Sequence, residues 1–298
     1  MLASRYLCLV MHIYQPKDWF TFIFKVHKSE TFQKLIPMMA LIALYTWGVV
    51  YVEYEWWHWD QDPFVKHLTT VQTLLGFVLS LLLVFRTNTA YDRWWEGRKL
   101  WGNLVNNSRT LSLKLNAILP AEDSINRGYF QKGISLYAHS LKQHLRSKEM
   151  EVELDEEWTG VLGQHHIPNQ IAKRLIQRIF DLQREGKING FELQSLQTEL
   201  NEFQNICGGC ERIRNTPIPF SYNVFVKKFI FFYVMTLPFG YAVQLHWLCI
   251  GLSCIVFYAL ASLEVIAEEI EDPFGNDSND IPTDRICETI DQNVLTIL

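Results

Sequence analysis

Phe77, Leu81 and Phe85 recur at i, i+4 and i+8 and so share one face of a helix. Continued, the stripe reaches Thr89, then Asp92 or Arg93, then Glu96, so an apolar face turns polar along a single element. Several copies of such a face around an axis would line a pore. Apolar rings at membrane level would gate by dewetting, and Arg86, Thr89, Asp92, Arg93 and Glu96 beyond them would face a water-filled vestibule. The same stripe also suits plain packing against helices or lipid, and periodicity alone does not separate the two.

Two other groupings could carry chemistry. CGGC at 207–210 has the spacing of a thiol–disulfide pair or of half a tetrahedral metal site. No second pair completes a zinc site, His165–His166 stands far upstream, and no strand precedes the motif. A structural role is the better reading, with Gly208 and Gly209 marking a tight helix end before ERIRNTPIPFSY (211–222). The segment EEIEDPFGNDSND (268–280) offers hard oxygen ligands at Asp272, Asn276, Asp277, Asn279 and Asp280, but it lacks the spacing of an EF-hand. A solvated, capped helix end is the plainer reading. No nucleophile elbow, P-loop, HExxH or GxGxxG occurs, so catalysis has no support.

The elements that must position these residues are apolar and long. LIPMMALIALYTWGVVYV (35–52), LTTVQTLLGFVLSLLLVF (68–85), FIFFYVMTLPFGYAVQL (229–245) and WLCIGLSCIVFYALASL (247–263) each just cover a hydrocarbon core of about 30 Å. Only His246 separates the last two, which requires a tight hairpin or a shared bend. Pro238 and Gly240 predict a kink, tolerable where neighbouring helices satisfy the freed carbonyls.

Basic residues set the orientation. The linker EYEWWHWDQDPFVKH (53–67) has four acids and one lysine. Arg5, Lys17, Lys25, Lys28 and Lys34 precede the first span, Arg86, Arg93, Arg98 and Lys99 follow the second, and Arg212, Arg214, Lys227 and Lys228 precede the third. The positive-inside rule then places both termini and the middle region in the cytoplasm, and the expected location is the cell inner (plasma) membrane, crossed several times. Trp56, Trp57 and Trp59 would form an outer interfacial belt. The middle region reads as helices over 127–145, 169–186 and 191–203, with apolar residues such as Ile134, Tyr137, Leu141, Ile171, Leu175, Ile179 and Leu182 at helical spacing. The run EMEVELDEEW (149–158) reads as a solvated acidic loop or face.

Composition agrees with a chain divided between bilayer and water. Of 298 residues, 49% are hydrophobic and 14% aromatic, and the mean hydropathy is +0.01. A net charge of −5 gives no basic face for nucleic acid. Six scattered cysteines form no disulfide framework. No cleaved signal peptide is expected.

RTNTAYDRWWEGRKLWG (86–102), ERIRNTPIPFSY (211–222) and EEIEDPFG (268–275) together resemble the bestrophins, in their bacterial form, over nearly the whole chain. The resemblance implies an all-α integral membrane protein with four transmembrane helices per subunit and a helical cytoplasmic domain, assembled as a homopentamer around one axial pore. The implied divisions are 1–99 (N-terminal segment and first two spans), 100–218 (cytoplasmic domain), 219–267 (last two spans) and 268–298 (acidic segment and tail). It places the family's hydrophobic neck on Phe77, Leu81 and Phe85. The cytoplasmic aperture falls on Phe191 when CG at 207–208 and IP at 218–219 anchor the alignment, and a one-residue slip would select Gly190 or Glu192. In animal members the acidic segment clasps calcium. Asp272, Asp277 and Asp280 match, but Asn276, Ser278 and Asn279 interrupt the acids, so no tight site is expected.

No cofactor is implied. The implied partners are further copies of the chain, the bilayer and permeant inorganic ions. The resemblance implies passive conduction of anions such as chloride, because animal members pass chloride and other anions; aromatic edges in the neck would favour anions and aromatic faces would do the opposite. A cation-selective channel of the same fold is the alternative. A membrane thiol oxidoreductase at Cys207 and Cys210 is a remote third reading.

Overall fold

A computed structural model of the chain describes residues 30–57, 63–147, 158, 160 and 165–298. Lys17, Lys25 and the other basic residues before position 30, Cys8, Trp59, the Trp57 side chain and most of the acidic run 149–158 lie outside the described residues. Those described are helical, without a strand. The helices are α1 (Glu30–Val52), followed by a π-helical turn (Glu53–Trp57), α2 (Pro63–Ile118), α3 (Ser124–Leu145), α4 (Ile167–Arg184), α5 (Gly190–Asn215), α6 (Phe220–Leu245), α7 (Leu248–Glu271) and α8 (Thr283–Ile297).

They form two compact units. One holds the chain up to Asp92 together with Pro217–Glu271, and the other holds Arg93–Thr216 with Asp272–Leu298. The chain therefore changes unit inside α2, between Asp92 and Arg93. Its later crossings fall at Thr216/Pro217 and Glu271/Asp272.

The length of α2 follows from its sequence. Pro63 occupies the first turn, where its missing N–H costs nothing, and no other proline interrupts the helix before Ile118. At 56 residues it is about 84 Å long, far beyond what a bilayer needs. Among the described residues four helical stretches are long and apolar enough to cross a membrane: Thr31–Trp56, His67–Ile118, Phe220–Leu245 and Leu248–Glu271.

In the first unit α1 packs on α6 and α7, and α6 packs on α7. Leu79 and Leu83 of α2 bury against Ile42, Val226, Ile230, Val234 and Phe257. The α6–α7 connection is the tight hairpin. His246, at a positive φ of 46°, returns its N–H to Ala242 O at 2.7 Å. Helix α6 runs through Pro238, and two carbonyls of the preceding turn accept side-chain donors from other helices. Tyr45 Oη donates to Met235 O at 3.0 Å, and Gln72 Nε2 donates to Thr236 O. Gly240 leaves the room that the Gln72 carboxamide occupies.

In the second unit α3 packs on α4, α5 and α8, and α4 packs on α5. The core joins Trp101, Leu104, Leu111, Phe130, Tyr137, Leu175, Leu182, Phe203 and Cys287. Helix α5 begins with a capping box, Asn189 Oδ1 accepting from Glu192 N while the Glu192 carboxylate accepts from Asn189 N. It does not end at Gly208–Gly209 but continues to Asn215. Both glycines lie in mid-helix, and a Cβ on Gly209 would stand 3.0 Å from the Leu100 methyls. Packing, not helix termination, explains that glycine.

Candidate pore face and the charges beside it

Within the first unit α2 is two-faced. Leu79 and Leu83 are buried, while Phe77, Leu81 and Phe85 are 65%, 44% and 63% exposed. Thr89 and Asp92 continue the exposed side. The expected neck stripe is therefore a continuous apolar ridge on the subunit surface.

Arg86 corrects the expected vestibule. It is 1% exposed, and its Nη2 meets Glu271 Oε2 at 2.7 Å, with Nε 3.7 Å from Glu264 Oε2. Glu271 Oε1 in turn accepts the backbone N–H of Ile218 at 2.7 Å. A guanidinium enclosed by its own subunit and paired with carboxylates does not face a water-filled mouth. The phase of the helix predicts this: Leu79, Leu83, Arg86 and Ala90 repeat at spacings of four, three and four and are all buried.

In the second unit Arg93 is half-buried and spans the C-terminal end of α5, donating to Ile213 O at 2.6 Å and to Thr216 O. It caps carbonyls that the helix leaves open. Glu96 pairs with Arg212. Phe191, just inside the capping box of α5, is 86% exposed. Trp101 is buried, whereas Trp95 is exposed and Trp94 Nε1 donates to Asn279 O at 2.9 Å.

The three candidate calcium ligands differ in their surroundings. Asp272 and Asp277 are exposed, whereas Asp280 is 7% exposed and turns inward, accepting Asp277 N at 2.6 Å. Burial, reinforced by the nearby Asp277 and Asp272 charges, pushes the Asp280 carboxyl up to about 7. The preceding DPFG turn presses Phe274 against α2, where a Cβ on Gly97 would lie 3.1 Å from both Phe274 and Ile281.

Cys207 and Cys210 are buried thiols. Burial and then the Glu211 charge push Cys207 up to about 12, and burial raises Cys210 as well. A thiol held protonated is neither nucleophile nor metal ligand, which removes the chemical basis for a redox role.

The family model for bacterial and fungal bestrophin proteins matches residues 11–296. The chain belongs to the bestrophins. Among its relatives, a Salmonella typhi protein named voltage-dependent anion channel-forming protein YneE is 30% identical over 290 residues, covering 96% of this chain and 93% of that one. The voltage-dependent anion channel-forming protein sll1024 of Synechocystis sp. is 36% identical over 233 residues, 74% of each chain. A crystal structure of a bacterial bestrophin homologue from Klebsiella pneumoniae superposes with a TM-score of 0.80 at 31% identity, over 88% of this chain and 98% of that one. This bestrophin is thus an all-helical membrane protein of a channel family, not an enzyme.

Sequence reasoning missed the enclosed partners Glu264 and Glu271. Nothing local marks them, because they lie 178 and 185 positions from Arg86 and meet it only through the packing of α2 and α7.

Proposed function

We propose that this bestrophin is a homopentameric anion channel of the plasma membrane, conducting passively through a neck of Phe77, Leu81 and Phe85. The observation that carries the reading is the exposure of these three side chains beside buried Leu79 and Leu83 on the same helix. A soluble subunit would not present such a ridge, and five copies facing an axis would form three stacked apolar rings. Phe191, nearly fully exposed, would ring the cytoplasmic aperture. The relatives named as anion channel-forming proteins favour anions such as chloride, and nothing in them supports the cation alternative. Thr89, Asp92, Arg93 and Glu96 follow the neck toward the cytoplasm, while Arg86 braces the neck helix from behind. Basic residues beside the spans support cytoplasmic termini.

Reconstitution into planar bilayers tests the reading. In asymmetric KCl the reversal potential should move toward the chloride equilibrium potential, and reversal at the potassium potential would overturn anion selectivity. Leu81→Ala widens one ring and should raise the current severalfold, whereas an unchanged current would remove Leu81 from the conduction path.

A further inference from the structure

Three side chains of the second unit meet at a point that the channel reading does not use. His144 stands in the last turn of α3, His166 is the N-cap of α4, and Glu211 lies in the last quarter of α5. Both histidine Nε2 atoms are 2.7 Å from the same oxygen, Glu211 Oε1, and the two rings are 4.6 Å apart. Among the described residues this is the one grouping of three His, Cys, Asp or Glu side chains whose ligand atoms lie together, all within 4.8 Å. Each member is partly open to solvent, so an ion could reach it.

We propose that His144, His166 and Glu211 form a binding site for a divalent transition cation of the zinc class. Two imidazoles and one carboxylate are the ligand set that such ions select, whereas calcium and magnesium prefer oxygen alone. With metal–ligand distances of about 2.0–2.1 Å, tetrahedral coordination needs ligand atoms about 3.3 Å apart, so the present contacts open by about 0.6 Å. Three ligands leave a fourth position for water. The backbone around His166 holds it in place: its φ of 62° is a left-handed conformation rare for a residue with a Cβ.

The exchange costs one local hydrogen bond. With no ion present, each Nε2 donates to Glu211, and His166 Nδ1 accepts from Asn169 N at 3.3 Å. A bound cation takes the Nε2 lone pairs, and each imidazole moves its proton to Nδ1. The bond from Asn169 N to His166 Nδ1 is then lost, while Asn169 N keeps its bond to His166 O at 3.1 Å. The ion would tie α3, α4 and α5 together at one point.

Titration of the purified full-length protein with Co2+ tests the proposal. One ion per chain should bind and produce the visible absorption bands of a tetrahedral nitrogen–oxygen site. Zn2+ should displace it, and millimolar Ca2+ should not. His144→Ala combined with His166→Ala should abolish the bands, Glu211→Gln should weaken binding at least tenfold, and His139→Ala, at an imidazole that pairs with Asp291 instead, should leave it unchanged. Absence of binding, or bands that persist in the double variant, overturns the proposal. The unmutated chain gives a second measurement in case the variants do not fold: Zn2+ should protect His144 and His166, but not His139, from histidine-directed carbethoxylation, and equal labelling with and without Zn2+ would refute the site.

Discussion

In the first unit Leu44, Leu74, Phe77, Phe85 and Ile255 are exposed, while Arg86, Glu264 and Glu271 are enclosed. In the second unit Trp101, Phe130, Tyr137 and Phe203 are enclosed, while Arg184, Glu185 and Lys187 are exposed. The same twenty side chains are sorted in opposite ways because the solvent differs. A lipid-facing helix gains nothing by hiding leucine, so its interior is free to hold polar contacts that fix how helices meet. A water-facing helix must hide its leucines, and most of its charges remain outside.

The largest expected effect strikes at the enclosed charges. Arg86→Met removes the guanidinium that Glu264 and Glu271 share and should cost about 3–5 kcal/mol, read as a lowered unfolding midpoint in detergent. Replacing all three groups, as Arg86→Met with Glu264→Gln and Glu271→Gln, should recover most of the loss. A triple variant no better than the single one would show that shape, not charge, holds α2 and α7 together.

Next in size is a pair of truncations, one in each unit. Leu175→Ala opens a cavity among Gly133, Trp158 and the other core residues of the second unit and should cost about 2–5 kcal/mol. Leu44→Ala, on the exposed side of α1, should change the stability of the folded subunit by less than about 0.5 kcal/mol. Equal costs would break the contrast, since they would mean that Leu44 is as tightly packed as Leu175.

A smaller effect comes from Asp280, a carboxyl that the second unit encloses. Its folded value of about 7 lies above the roughly 3.9 of an unfolded aspartate. Between these values the folded chain retains a proton that the unfolded chain has released. The stability it contributes is full below about pH 4 and is lost as pH rises through 7. Asp280→Asn should therefore raise stability by about 1–3 kcal/mol at pH 8 and leave it nearly unchanged at pH 4. Thermal unfolding at the two pH values measures the difference, and a variant less stable at pH 8 would show that Asp280 is worth more as a charge than as a neutral acceptor.

Sequence revealed the four spans and the α2 stripe because long apolar runs and an i, i+4 ridge are local signals. It misplaced Arg86 by treating the first charge after an apolar run as already in water, although the buried phase of Leu79 and Leu83 continues directly onto it. It ended α5 at Gly208–Gly209 because glycine commonly stops helices, yet here Leu100 uses the space that Gly209 leaves. The meeting of His144, His166 and Glu211 carries no local signal, because three separate helices bring them together.

The smallest effects ask whether the unit or the enclosure decides what a charge contributes. Lys227–Glu268 in the first unit and Arg184–Asp181 in the second are both at 2.9 Å, and both are largely open to solvent. Exposed pairs gain little because water and salt screen them and the side chains lose rotamer freedom. Glu268→Gln and Asp181→Asn should each lower stability by less than about 1 kcal/mol, with the difference shrinking further in high salt. A loss near that of Arg86→Met for Glu268→Gln would mean that the membrane unit strengthens every ion pair it holds. Two small and equal losses would place the difference in enclosure alone, and Arg86 would owe its weight to being shut away from solvent beside Phe85.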